Sequence, residues 1–162
     1  MPPRGQDIVT YKRILVPVDG SRASNRGLRE AIRLAKGQKA SVQLVHVVDE
    51  HTALLSGAEV GAYYLVDLIP ELKRRGRQIL GRAEALVRKR GLKCTTVLLE
   101  TLAGPAADLI VRQAKKWGAG LIVIGTHGRR GVRRLVMGSD AEQIVRTASV
   151  PVMLVRAPSA AA

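Results

Sequence analysis

Four glycines and four arginines crowd the stretch from Gly125 to Ser139, which reads Gly-Thr-His-Gly-Arg-Arg-Gly-Val-Arg-Arg-Leu-Val-Met-Gly-Ser. Their chemistry suits an anion. Glycine lets backbone N–H groups turn inward and approach a phosphate closely. The apolar run Leu121-Ile122-Val123-Ile124 before it is of the kind that forms a buried parallel strand. Asp140 to Arg146 after it reads as a short helix. A loop from a strand's carboxyl end to a helix amino end adds unpaired N–H groups and positive partial charge. The spacing is not that of a Walker loop, because no Gly-Lys-Ser/Thr follows, nor of the dinucleotide fingerprint. A surface connection rich in glycine for turn reasons would look similar. Ser139-Asp140-Ala141-Glu142 is also a capping box, so Ser139 has a structural role open to it beside phosphate binding. Of Arg129, Arg130, Arg133 and Arg134, one or two can reach a single nucleotide and the rest face water.

Other reactive residue types are scattered. Asp19 ends the run Lys12-Arg13-Ile14-Leu15-Val16-Pro17-Val18 and opens Asp19-Gly20-Ser21. It serves either as a turn residue or as a ligand contact at the carboxyl end of a parallel strand. His46 alternates with apolar neighbours, which favours a hydrogen-bonded structural histidine. No second ligand stands at metal spacing nearby. His127 has nothing that marks it as a base and counts as a backbone contributor. Cys94 lies in an apolar run and reads as a small core residue. No nucleophile–base set or carboxylate pair can be assigned. Of what in-line phosphoryl transfer requires, only charge stabilisation is evident, so the chain is at most a weak ATPase.

The elements that position these residues alternate. The first strand covers Lys12 to Asp19. Ser21 or Ser24 caps a helix to about Lys36, ended by Gly37, with Leu28, Ala31, Ile32 and Ala35 inward. Ser41 to Val48 is the second strand. From Asp49 to about Leu65 the pattern reads as a loop with at most one helical turn. A long helix runs from Val66 to Arg90, with Leu65, Leu68, Ile69, Leu72, Ile79, Ala83, Leu86 and Val87 as its apolar stripe. Gly76 and Gly81 weaken it by about 1 kcal/mol each relative to alanine. Leu92 to Glu100 is the third strand. Gly104-Pro105 starts a helix to Trp117, with Pro105 at the first helical position and Trp117 in the core. Strand four, the glycine loop, the last helix and a fifth strand from Val150 to Val155 follow. Strand–helix alternation of this kind predicts an α/β fold, a parallel sheet with helices on both faces. Residues 1–11 read as a flexible arm, 12–156 as one domain and 157–162 as a flexible tail.

Length and composition fit one globular domain: 162 residues, 46% hydrophobic, with a mean hydropathy of +0.05. No apolar run reaches the ~20 residues of a membrane span, and the amino end lacks a signal core. The expectation is a cytoplasmic protein without membrane insertion. Lys and Arg total 27 against 13 Asp and Glu, a net charge of +14. Such a balance attracts polyanions. The absence of Phe, with three Tyr and one Trp, argues against a stacking platform for single strands. Sequence-blind contact with nucleic-acid phosphates, by way of the long basic helix, stays open.

Taken together, Gly125-x2-Gly128-x9-Gly138-Ser139 resembles the ATP-binding signature of the universal stress protein family. Val16-Pro17-Val18-Asp19, His46-Val47-Val48-Asp49, Gly104-Pro105 and Pro151-Val152 match it in the same order, over roughly Lys12 to Arg156. The resemblance implies a Rossmann-like open sheet of five parallel strands in the order 3-2-1-4-5. It implies ATP, with Mg2+ or Mn2+, at Pro17, Asp19, Val47, Ile124, Gly125, His127, Gly128, Arg129, Gly138, Ser139 and Asp140. Asp19 would contact the nucleoside and Val47 would pack on adenine. It also implies a stress-response regulator that forms a homodimer through the last strand, Val150–Val155. Asp140 departs from the family pattern, where a Val, Thr or similar residue is common. Its carboxylate repels phosphate or helps hold a bridging divalent metal. Two alternatives are a basic nucleic-acid-binding protein and a dimeric interaction module that takes no nucleotide. No internal repeat is present, so the chain is not a tandem form.

Overall fold

The computed structural model describes residues 10–50, 62–126 and 137–156, with backbone alone for 62–67. Five strands form one parallel sheet: β1 (Arg13–Pro17), β2 (Ser41–Asp49), β3 (Cys94–Thr101), β4 (Leu121–Gly125) and β5 (Val152–Val155). Their order is β3-β2-β1-β4-β5, as the resemblance implied, and every pairing is parallel, as the alternation predicts. The described helices are α1 (Arg22–Gln38), α2 (Ala62–Arg88), α3 (Ala106–Trp117) and α4 (Ser139–Thr147).

The two-residue period of the strands sorts the core into two layers. Ile14, Val16, Val42, Leu44 and Val123 project to one face, where Leu28, Ala31 and Ala35 of α1 and Leu80, Ala83 and Val87 of α2 cover them. Leu15, Val45, Ile122 and Ile124 project to the other, under Ala107, Ile110 and Ala114 of α3 and Ala141 and Ile144 of α4. Strands buried on both faces carry apolar residues at nearly every position, which is why β4 reads as an unbroken run.

Several boundaries differ from the sequence expectation. Gly37 lies inside α1, and the left-handed cap falls on Lys39 at φ 53°. The helix reaches that far because Ala40 packs into the core and its N–H still bonds the Ala35 carbonyl. Helix α2 starts four residues earlier than Val66 and contains Pro70. Its stripe also shifts: Leu86 is exposed, while Leu80 is buried. Pro105 is the N-cap of α3 rather than its first residue. Strands β3 and β5 begin two residues later than expected, at Cys94 and Val152. The expected arm ends sooner, because Tyr11 packs against the core and its N–H donates to Gln38 Oε1; residues 1–9 and 157–162 lie outside the described ones.

Candidate functional site

The strand order reverses between β1 and β4. Strand β1 pairs with β2 as far as Pro17↔Val45, but its pairing with β4 covers Ile14↔Leu121 and Leu15↔Ile122. The carboxyl ends of β1 and β4 carry Asp19 and Gly125, the arrangement in which open α/β sheets bind ligands.

On the β1 side, Asp19 builds a turn. Its Oδ1 accepts the Ser21 N–H at 2.8 Å, and its own N–H donates to Ser24 Oγ at 3.1 Å. Ser21 Oγ accepts the Ser24 N–H and caps α1. One free N–H of the first turn of α1, that of Ser24, is thus taken by a side chain. Asp19 is half-buried, and the turn role open to it in the sequence is filled. Behind it, buried His46 holds the end of β1 through Nδ1 and the Val18 carbonyl, 2.6 Å apart. The structural role expected of His46 is the one observed.

On the β4 side, the Gly138 N–H donates to the Thr126 carbonyl at 2.8 Å. That bond closes the base of the glycine loop and brings the start of α4 to the end of β4. Helix α4 is held there by Ala141 and Ile144 in the core and by Gln143 Nε2 donating to Asp108 Oδ1 of α3. Gly138, not Ser139, is the N-cap, at φ −62° and with no side-chain cap bond. Ser139 is the first helical residue, so the capping-box role expected for it is not formed. The first intrahelical bond runs from the Glu142 N–H to the Gly138 carbonyl. The N–H groups of Ser139, Asp140 and Ala141 therefore have no partner within the helix. Ser139 and Asp140 are exposed, and Asp140 and Glu142 place carboxylates in this first turn.

Of the residues that the resemblance implied, the structure brings Pro17, Val47 and Ile124 to one sheet face. Val47 and Ile124 belong to the layer under α3 and α4, and Pro17 follows Leu15 by the strand period. Gly125 points to the opposite face. A Cβ there would meet the Ala23 carbonyl carbon at 2.5 Å and oxygen at 2.7 Å. Its glycine is thus required by the close passage of α1 over β4. His127, Gly128 and Arg129 lie outside the described residues, as does the rest of the loop to 136.

One ion cluster escaped sequence reasoning. Lys73 Nζ lies 3.0 Å from Glu50 Oε1 and 2.8 Å from Glu100 Oε2, tying α2 to the ends of β2 and β3. Glu100, then Glu50, push the Lys73 pKa up. Its signal was faint: one lysine in a basic run and two acids near strand ends. Cys94 is buried as expected, and burial pushes its thiol up to about 11.

Comparison with known proteins agrees with this geometry. Residues 10–156 match the family model described as the Universal stress protein family. A universal stress protein of Methanocaldococcus jannaschii is 36% identical over 148 residues, covering 91% of this chain and 84% of its own. A solved structure from the same family in Burkholderia pseudomallei superposes with a TM-score of 0.73 at 31% identity, covering 91% of this chain and 97% of its own. The universal stress protein of Archaeoglobus fulgidus, solved in complex with dAMP, superposes with a TM-score of 0.59 at 27% identity, covering 91% and 99%. From the sheet order, the matched residues and these identities, the chain belongs to the universal stress protein family.

Proposed function

We propose that this chain binds ATP in the β1–β4 crevice and acts as a cytoplasmic regulatory protein of the stress response, with weak or no hydrolysis. The observation that carries the reading is the amino end of α4: three N–H groups without intrahelical partners, tied to the end of β4 by the Gly138–Thr126 bond. Such an end is a ready phosphate site. At the amino end of α1, by contrast, the Ser21 hydroxyl already takes one such donor, the Ser24 N–H. The dAMP complex of the Archaeoglobus fulgidus relative supports an adenine nucleotide as the ligand class.

The residues present fit that ligand. Val47, Pro17 and Ile124 offer an apolar wall for the base, and Asp19 an acceptor for the nucleoside. Gly128, Gly138 and Ser139 offer backbone groups to phosphate, with His127 and Arg129 beside them in the chain. Bound ATP supplies the charge that the arginine-rich loop neutralises. Asp140, exposed at the start of α4, stands where a carboxylate would help hold Mg2+ or Mn2+.

The assembly proposed is a homodimer through β5. This strand is a sheet edge, with Met153 and Leu154 exposed. Apolar edges invite strand pairing. Among the described residues no helix is long and apolar enough to cross a membrane.

The test is calorimetric titration of ATP with and without Mg2+. Gly128→Val with Gly138→Val should abolish binding while circular dichroism stays native. The reason at Gly138 is space for the phosphate, since its φ is negative. Asp19→Ala should weaken ATP but not inorganic triphosphate. A double-valine protein that binds ATP like the parent would place the site elsewhere, and a parent that binds no adenine nucleotide would overturn the reading.

A further inference from the structure

The positive charge of this chain is not spread evenly over its helices. Along α1, Arg22, Arg26, Arg29, Arg33 and Lys36 recur at intervals of four, three, four and three residues. That period keeps them on one side of a helix. All five are exposed, and the opposite side, from Ala23 to Ala35, is buried against the sheet. The helix contains a single acid, Glu30. Among the described residues the one ion pair on the stripe joins Glu30 to Arg33 at 3.2 Å.

The long helix α2, richer in cations by count, is more nearly balanced. Glu71 accepts from both Arg74 and Arg75, at 2.6 and 2.7 Å, and Glu84 holds Arg88 at 2.7 Å. Glu71 is correspondingly held down at about 2 by the Arg74 and Arg75 guanidiniums. Lys73 is committed to Glu50 and Glu100. Among the described helices, α1 therefore carries the most cations without an ion pair.

We propose that the outer face of α1 is a binding surface for the phosphate backbone of duplex nucleic acid, read without regard to sequence. At 1.5 Å per residue, Arg22 to Lys36 spans about 21 Å. That length of duplex presents about six phosphates on one strand, at 3.4 Å of axis each. The phosphates wind around the axis over that length, so the five cations of a straight helix match them in number when shared between the two strands that border a groove. Single strands are poor partners, because α1 carries no aromatic residue to stack a base. A membrane surface is a poor partner too. Helices that lie in lipid bury their apolar face in the headgroup layer, and that face of α1 is already spent on the core.

The experiment measures binding of the intact protein, without nucleotide, to two 30-base-pair duplexes of unrelated sequence between 50 and 200 mM salt. Equal affinity for both is expected, with a slope of log K against log salt near −4 to −5, at about 0.9 per phosphate. Arg26→Ala with Arg29→Ala should lower the magnitude of the slope by about 2 and weaken binding on the order of 100-fold at 50 mM salt. The matching pair on α2, Arg77→Ala with Arg82→Ala, should leave the slope within about half a unit of the parent. Equal losses from the two pairs would overturn the assignment to α1. So would absence of duplex binding at 50 mM salt, or strong preference for one sequence. Vesicles containing phosphatidylserine form the last arm: binding to them without binding to duplex would assign the stripe to membranes and overturn the proposal.

Discussion

Alanine at Gly76 and at Gly81 should move the stability of one helix in opposite directions. Both glycines lie inside α2, and helix propensity alone favours alanine by about 1 kcal/mol at each. At Gly81 a Cβ meets nothing within 4 Å. The gain should therefore appear undiminished, as a Tm rise of roughly 2–4 °C for a chain of this size. At Gly76 a Cβ would stand 2.7 Å from His46 Cδ2 and 2.8 Å from Leu98 Cδ1. Carbon atoms prefer about 3.5–4.0 Å. The Leu98 methyl can rotate, but His46 is buried and fixed through Nδ1 to the Val18 carbonyl. Overpacking costs about 1–3 kcal/mol, and a strained His46 bond costs about 1 more. Set against the propensity gain, the net loss is about 1–3 kcal/mol. Urea unfolding of both variants gives the comparison, with unchanged slopes showing that the denatured states are alike. Adding His46→Ala to Gly76→Ala makes room for the new methyl, so the pair should show a coupling of at least about 0.5 kcal/mol. Equal stabilisation by the two alanines would refute the packing argument, as would full additivity in the double variant.

Two further outcomes follow from the packing of Gly125 and the burial of Cys94. Gly125→Ala places its methyl against main-chain atoms of Ala23 and Ser24 at 2.5–2.8 Å, which cannot rotate away, so α1 must shift. The expected cost is about 2–3 kcal/mol in urea melts, with loss of ATP affinity because α1 begins at the Asp19 turn; a variant of parental stability would contradict the close passage. Cys94, with its thiol pushed up to about 11 by burial from a reference of 9.0, should react with a thiolate-selective reagent at pH 8 about 100-fold more slowly than a free thiol. Because the folded value is the raised one, this group contributes stability in full below pH 9 and loses it as pH climbs through 11. The alkaline loss should be smaller in Cys94→Ala, and equal pH profiles for the two proteins would count against burial as the cause.

Element sequence and the parallel sheet were legible because they rest on coarse periodicities, whereas the strand order came from the family resemblance. Alternating buried strands and one-sided helices leave few topologies, and a run such as Leu121 to Ile124 can sit only in a strand covered on both faces. Element ends were less legible, since each depends on one neighbouring contact. Gly37 looked like the stop of α1 because glycine adopts positive φ freely. The packing of Ala40 moved the stop to Lys39, which takes the left-handed conformation itself. Leu86 looked buried by spacing, yet α2 rotates so that Gly76, Leu80, Ala83 and Val87 face the sheet. Nothing in the sequence separates Gly76 from Gly81; the difference is the ring of His46, thirty residues away.

The site shows the same limit in a sharper form. Asp19, Gly125 and Ser139 could each be read from sequence as ligand contact or as structural residue. Asp19 performs its structural task in the turn before α1, and Gly125 is fixed by the backbone of Ala23. The Asp19 turn engages Oδ1 with the Ser21 N–H, and a carboxylate has acceptor capacity beyond one bond. Gly125 faces α1 with its missing side chain. Ser139 goes the other way: relieved of capping by Gly138, its hydroxyl is exposed at the helix end. In the proposed site, Ser139 is therefore the residue left for the ligand. Ser139→Ala should therefore cost affinity without costing stability, whereas Asp19→Ala should cost both.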